Sequence, residues 1–165
     1  LQYIKTARVD TDPGVKLEKL DVEPDVYVSA HPLELSRVVQ NLITNAQRYG
    51  RSNDDVLHLS VSVHREKHTA LLVVADQGQG LDMKEADRVM RPFERGDAAR
   101  TGVSGTGLGL AIVDRIARRS SGTVDLSTTA PHGLTVSIRI PLFNEKKAET
   151  EAAENAGKNA PSVAI

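Results

Sequence analysis

The sequence predicts an α+β fold in two layers, a sheet covered on one face by helices. Three observations carry this reading. Segments that alternate apolar and polar residues come in runs and do not interleave one by one with helices, as they would in a doubly wound sheet. Two segments at helical spacing each carry a single apolar stripe, so each has one face to bury. The chain has 165 residues, which suits one domain able to bury a core without covalent staples.

The elements follow in order. Leu1 to Asp12 has no period, and residues 1–14 read as the remnant of a preceding linker. Val15-Lys16-Leu17 and Val26-Tyr27-Val28 are short strands around turn residues 21–25. Pro32 suits the first turn of a helix running to about Tyr49, with Leu35, Val38, Val39, Leu42, Ala46 and Tyr49 on one stripe. Gly50 and Ser52-Asn53 end it. Leu57, Leu59, Val61 and Val63 then alternate with His58, Ser60, Ser62 and His64, the pattern of a half-buried strand. Glu66-Lys67-His68 turns the chain into a more deeply buried strand, Leu71 to Ala75. Asp76 to Gly109 is rich in charge and holds seven of the 12 glycines. A helix follows over about 107–120, then alternating strands at Val124/Leu126 and Leu134/Val136/Ile138/Ile140, stopped by Pro141. The domain is thus expected over 15–142, with 143–165 as a polar, disordered tail.

Composition excludes several functions. With no cysteine there is neither a disulfide nor a thiolate metal site. A net charge of -1 offers no footprint for nucleic acid or an anionic membrane. Five aromatics, Tyr3, Tyr27, Tyr49, Phe93 and Phe143, are too few and scattered for a base-stacking surface. The longest apolar run, Ala70 to Ala75, is far too short to span a bilayer. The chain starts with Leu1 and no signal-like segment follows, so it reads as a soluble piece of something larger.

Four elements carry chemistry. Asn41 and Asn45, four apart on a helix, share a face, with Arg48 a turn further on. Asparagine is a poor interior helix residue, but its side-chain oxygen suits a hard cation and arginine suits phosphate. Asp76-Gln77-Gly78-Gln79-Gly80 follows directly on a buried strand. A carboxylate fixed there accepts a hydrogen bond from the exocyclic amine of adenine, where guanine would present a carbonyl. Arg91-Pro92-Phe93-Glu94-Arg95 sets an aromatic between cations. Finally, Gly102-Val103-Ser104-Gly105-Thr106-Gly107-Leu108-Gly109-Leu110 runs into an apolar helix, so free N–H groups can face an anion. It lacks the Lys-Ser/Thr of a Walker loop and the spacing of a dinucleotide fingerprint.

In this order and at these separations the four elements resemble the motifs of sensor histidine kinase catalytic domains, members of the GHKL superfamily. Asn41 to Tyr49 resembles their N box, Asp76 to Gly80 their first glycine box, Pro92-Phe93-Glu94-Arg95 their phenylalanine box and Gly105 to Val113 their second glycine box. The resemblance covers roughly residues 15–142. It implies a Bergerat-type fold, a mixed sheet on about three helices. It further implies ATP as substrate, Mg²⁺ held by Asn45, phosphate contacts from Arg48 and Arg95, and Tyr49 near the ribose and phosphates. Asp76 would hold adenine, with Gly78, Gly80, Leu81, Gly105, Thr106, Gly107, Leu108 and Gly109 around the nucleotide. Residues from about Asp82 to Thr106 would form a lid.

The relatives that hydrolyse ATP carry a glutamate where this chain has Asn41, which cannot take a proton from water. Transfer to histidine needs no such base and rests on positioning and charge neutralisation. The histidines here, His31, His58, His64, His68 and His132, lack the family's phosphoacceptor context. The acceptor is therefore expected on a dimerisation domain of the same protein, with a response regulator downstream and the fragment itself monomeric. The parent protein is expected to be anchored in a bacterial cell membrane, with this domain on the cytoplasmic side. An anti-sigma-factor-type serine kinase is the alternative, disfavoured by Pro92-Phe93; a non-catalytic nucleotide-binding module is the other. His31 replaces a common aspartate before the proline and is expected to weaken the helix cap. His132-Gly133-Leu134-Thr135 lacks the usual Gly-Thr, so no ligand contact is assigned to it.

Overall fold

The computed structural model describes residues 14–92, 108–143 and the pair 163–164. The remainder of the expected linker, of the 82–106 segment and of the tail lies outside the described residues.

Five strands form one sheet: β1 (Val15–Val22), β3 (Leu57–Glu66), β4 (Thr69–Asp76), β5 (Thr123–Thr128) and β6 (Leu134–Pro141), in the order β1-β3-β4-β6-β5. β1 runs parallel to β3, and every other neighbouring pair is antiparallel, so the sheet is mixed. The parallel pair requires a crossover. It is supplied by β2 (Tyr27–Val28) and helix α1 (Pro32–Tyr49). A short 3-10 turn at Met83–Glu85 leads into α2 (Ala86–Val89), and α3 (Gly109–Arg119) precedes β5. Val163–Ala164 forms β7 and pairs antiparallel with β2, a strand that the polar character of the tail does not predict.

The helical layer lies on one sheet face because the periodicities match. Leu35, Val38, Leu42, Ile43 and Ala46 of α1 are buried, and Leu57, Leu59 and Val61 point at them from β3 at period two. α3 packs beside α1 and over β5 and β6, burying Leu110, Ala111, Val113, Ile116 and Ala117. Both helices match their sequence-predicted bounds to within two residues. β3 and β4 are longer than their alternating cores suggest, because the two-residue turn at Lys67-His68 lets the ladder close at Glu66↔Thr69. β6 ends at Pro141, its last residue, where the sequence places its stop.

The cap of α1 corrects one expectation. Nδ1 of His31 accepts the N–H of Leu33 at 3.3 Å, so the imidazole fills the role of the missing aspartate.

Candidate functional site

The site is built where β4 ends. Beyond Ala75↔Thr135 the β4–β6 ladder stops. There Asp76, only 6% exposed, takes the next N–H with its side chain. Its Oδ1 accepts from Leu134 N at 3.2 Å and from Gly78 N at 3.0 Å. Both bonds fall on one oxygen. Oδ2 takes no donor among the described residues and is not sealed from solvent. Burial raises the pKa of Asp76 above the usual aspartate value, and the N–H bonds from Gly78 and Leu134 oppose that shift. The result is a buried carboxylate with one oxygen anchored and the other open.

Glycines let three backbone segments meet around it. A Cβ on Gly50 would stand 2.6 Å from Cβ of Asp76, and one on Gly78 would stand 2.4 Å from the carbonyl oxygen of Tyr49. A Cβ on Gly133 would come within 2.1 Å of the Asp76 carbonyl oxygen, and Gly133 also has φ +127. Gly50 has φ -93, an ordinary conformation, so it is glycine for want of space and not to reverse the helix end. Gly80, with φ +74, lies against the carbonyl of Gly133. The C-terminus of α1, the loop after β4 and the loop before β6 are thereby pressed together.

α1 presents the polar residues. Asn41, Asn45 and Tyr49 are half-buried and Arg48 is exposed, and the side chains of all four take no hydrogen-bond partner among the described residues. Asn41 Oδ1 lies 3.8 Å from where a Cβ on Gly109 would stand, which sets this face of α1 beside the start of α3. Leu108 at that start supplies no side-chain cap, the first turn has no acidic residue, and the first helical bond runs from Ile112 N to Leu108 O. The N–H groups of Gly109, Leu110 and Ala111 take no acceptor among the described residues, an arrangement suited to an anion. Leu81 packs against the core. Arg95, Gly105, Thr106 and Gly107 lie outside the described residues.

A model of the family described as "Histidine kinase-, DNA gyrase B-, and HSP90-like ATPase" matches residues 30–144. The chain belongs to that family. Within it, the relatives are sensor histidine kinases. DivJ of Caulobacter vibrioides is 30% identical over 141 residues, which is 85% of this chain and 23% of DivJ. WalK of Bacillus subtilis is 30% identical over 130 residues, 78% of this chain and 21% of WalK. The chain thus spans under a quarter of the length of these two relatives. Among solved structures, the mycobacterial sensor histidine kinase MprB matches with a TM-score of 0.69 at 27% identity, covering 86% of this chain and 93% of that one. The histidine kinase domain of the Escherichia coli osmosensor EnvZ gives a TM-score of 0.60 at 34% identity, covering 87% and 83%.

Within this histidine-kinase-type ATPase domain, four contributors to the site escape sequence reading: Gly50, His132, Gly133 and Leu134. Leu134 reaches Asp76 across 58 residues, a distance over which no local pattern operates. The signal available for Gly133 was a glycine directly before an alternating strand. The histidines also find places: His58 bonds Glu18, His64 lies 3.3 Å from Asp21, and His132 Nδ1 lies 3.0 Å from the carbonyl oxygen of Gly78. Among the described residues no helix is long and apolar enough to cross a membrane.

Proposed function

We propose that this chain is the ATP-binding catalytic domain of a two-component sensor histidine kinase, transferring the γ-phosphoryl group of ATP to a histidine on a separate dimerisation domain. The observation that carries the reading is the open Oδ2 of Asp76. A buried carboxylate anchored through one oxygen presents the other as a rigid acceptor for the exocyclic amine of adenine. A hydrogen bond to a charged group is worth roughly 1.5–3 kcal/mol, enough to discriminate against guanine on the order of 10–150-fold. The glycines around it, Gly78 and Gly80, leave room for a flat base.

From that anchor the triphosphate would run along α1 toward α3. The N–H groups of Gly109, Leu110 and Ala111, which take no acceptor among the described residues, would receive its oxygens with the neighbouring Leu108 and the glycine segment before it. Arg48 and Arg95 would neutralise charge there, and Tyr49 would flank the ribose. The side-chain oxygen of Asn45, without a hydrogen-bond partner among the described residues, fits one position around a hard cation. Mg²⁺ held there would supply charge neutralisation between phosphate oxygens. Asn41 next to α3 supplies no base for water, which favours transfer over hydrolysis. The acceptor histidine is assigned to another domain of the same protein, and a response regulator to the following step. Membrane anchoring of the parent protein belongs to the same reading.

The test is a thermal-shift series with ATP, GTP and Mg²⁺, followed by phosphotransfer to the native upstream histidine domain. ATP at about 100 times its dissociation constant stabilises by roughly 2.7 kcal/mol, with GTP giving less. Acid-labile label should appear on the upstream domain and not on this chain. Equal ATP and GTP shifts would remove the adenine assignment, and rapid release of free phosphate by the chain alone would favour an ATPase.

A further inference from the structure

The loop from Gln77 to Leu81 follows Asp76 directly and is packed at Gly78 and Gly80, yet few hydrogen bonds orient its peptides. Among the described residues only two hydrogen bonds reach it, and both are made by Gly78. Its N–H donates to Oδ1 of Asp76 at 3.0 Å, and its carbonyl faces His132 Nδ1 at 3.0 Å. The first bond is internal to the motif. The second comes from the loop before β6, 54 residues away.

We infer that His132 is a positioning residue for nucleotide: its Nδ1–H holds the Gly78 carbonyl and so fixes the peptide planes between Asp76 and Gly80. The inference rests on the adenine reading of Asp76. A carbonyl oxygen only accepts, so Nδ1 carries the proton and, in the neutral ring, Nε2 is left as the acceptor. This is a fixed tautomer, and protonation of Nε2 leaves the Nδ1–H bond in place. The role is local because the side chain is tethered to a site already pinned on its other flank. Gly78 abuts the end of α1 through Tyr49 and Gly50, while Gly133, next to His132, abuts Asp76. Removing the imidazole leaves that packing intact and frees only the carbonyl. The loop then samples other peptide orientations, and the nucleotide must select the competent one.

The experiment measures binding of the β,γ-imido analogue of ATP with Mg²⁺ to the wild-type chain and to His132→Ala, His132→Asn, His132→Phe and Asp76→Asn, with apo melting temperatures for each. Loss of one hydrogen bond predicts that His132→Ala weakens binding about 3- to 10-fold with little change in apo melting. His132→Asn, whose amide nitrogen sits the same number of bonds from Cβ as Nδ1, restores affinity, and His132→Phe does not. Nitrogen-15 shifts of the wild-type ring should report a protonated Nδ1 in the neutral form. Wild-type affinity in His132→Ala, or equal losses of affinity and melting temperature in all three His132 variants, would overturn the proposal. If Asp76→Asn binds as wild type, the adenine reading fails instead, and the two failures are distinguishable.

Discussion

Asp76 and the carboxylates of the β1 edge are the same chemical group under opposite constraints. Along that edge Glu18 meets Lys16 and His58, Asp21 meets Lys19 and His64, and Glu23 meets Arg65. Hydrogen bonds and charge from these partners hold each carboxyl below its usual range. Asp76 has no cation among the described residues. It is held by two backbone N–H groups, and burial pushes its pKa up. The edge carboxylates are satisfied by side chains of the folded protein, whereas the second oxygen of Asp76 takes no donor among the described residues and stays open to solvent or a ligand. A buried carboxylate left partly unpaired among the described residues is a candidate binding position, whereas the paired carboxylates of the edge are accounted for by the fold.

The largest effect expected from breaking this contrast comes through the glycines. Gly133→Ala forces a methyl group into the Asp76 carbonyl at a φ of +127. It should cost roughly 3 kcal/mol by denaturant melting and abolish nucleotide-dependent stabilisation.

Next comes Asp76→Asn, which keeps an oxygen for Gly78 and Leu134 but removes the buried charge. ATP affinity should fall roughly 10- to 150-fold in calorimetric titration, while melting of the apo protein at neutral pH stays level or rises. A large apo destabilisation would make Asp76 a structural residue.

A smaller effect separates the two groups by pH. A carboxyl with a raised folded pKa contributes stability below its unfolded pKa and loses it as pH rises through the folded value. Those with depressed folded values contribute above their unfolded pKa and lose it as pH falls through the folded one. On acidification Asp76 is protonated first, between its raised folded value and the unfolded one, and adds stability over that window; below the unfolded carboxylate range the β1 edge then weakens. Melting temperature against pH should fall more steeply in Asp76→Asn than in wild type.

The smallest effect is expected from Glu23→Gln, which breaks the 2.5 Å pair with Arg65 at the surface. Exposed ion pairs add little stability, so the melting change should be slight and should shrink further in high salt. Nucleotide affinity should not move.

Much of this was legible in the residues. The stripe of α1, the alternation of β3 and β6 and the start of α3 are consequences of period, and period is local. Asp76, with the glycines after a buried strand, could be singled out for the same reason. Illegible were the contacts that only long-range closure creates: Leu134 and His132 on the Asp76 loop, and Gly133 against the Asp76 backbone. Gly50 shows the difference most plainly. Its place at the end of a helix reads as a chain-reversing cap, yet its φ of -93 is one that any residue adopts. What excludes a side chain there is the Ala46 carbonyl of its own helix together with Asp76, which the sheet brings within reach. The sequence by itself determined the elements, their buried faces and the residue types of the site. Tertiary structure alone decided which oxygen of Asp76 is anchored and which is open, because a backbone donor 58 residues away in sequence reaches Asp76 only when the strands pair.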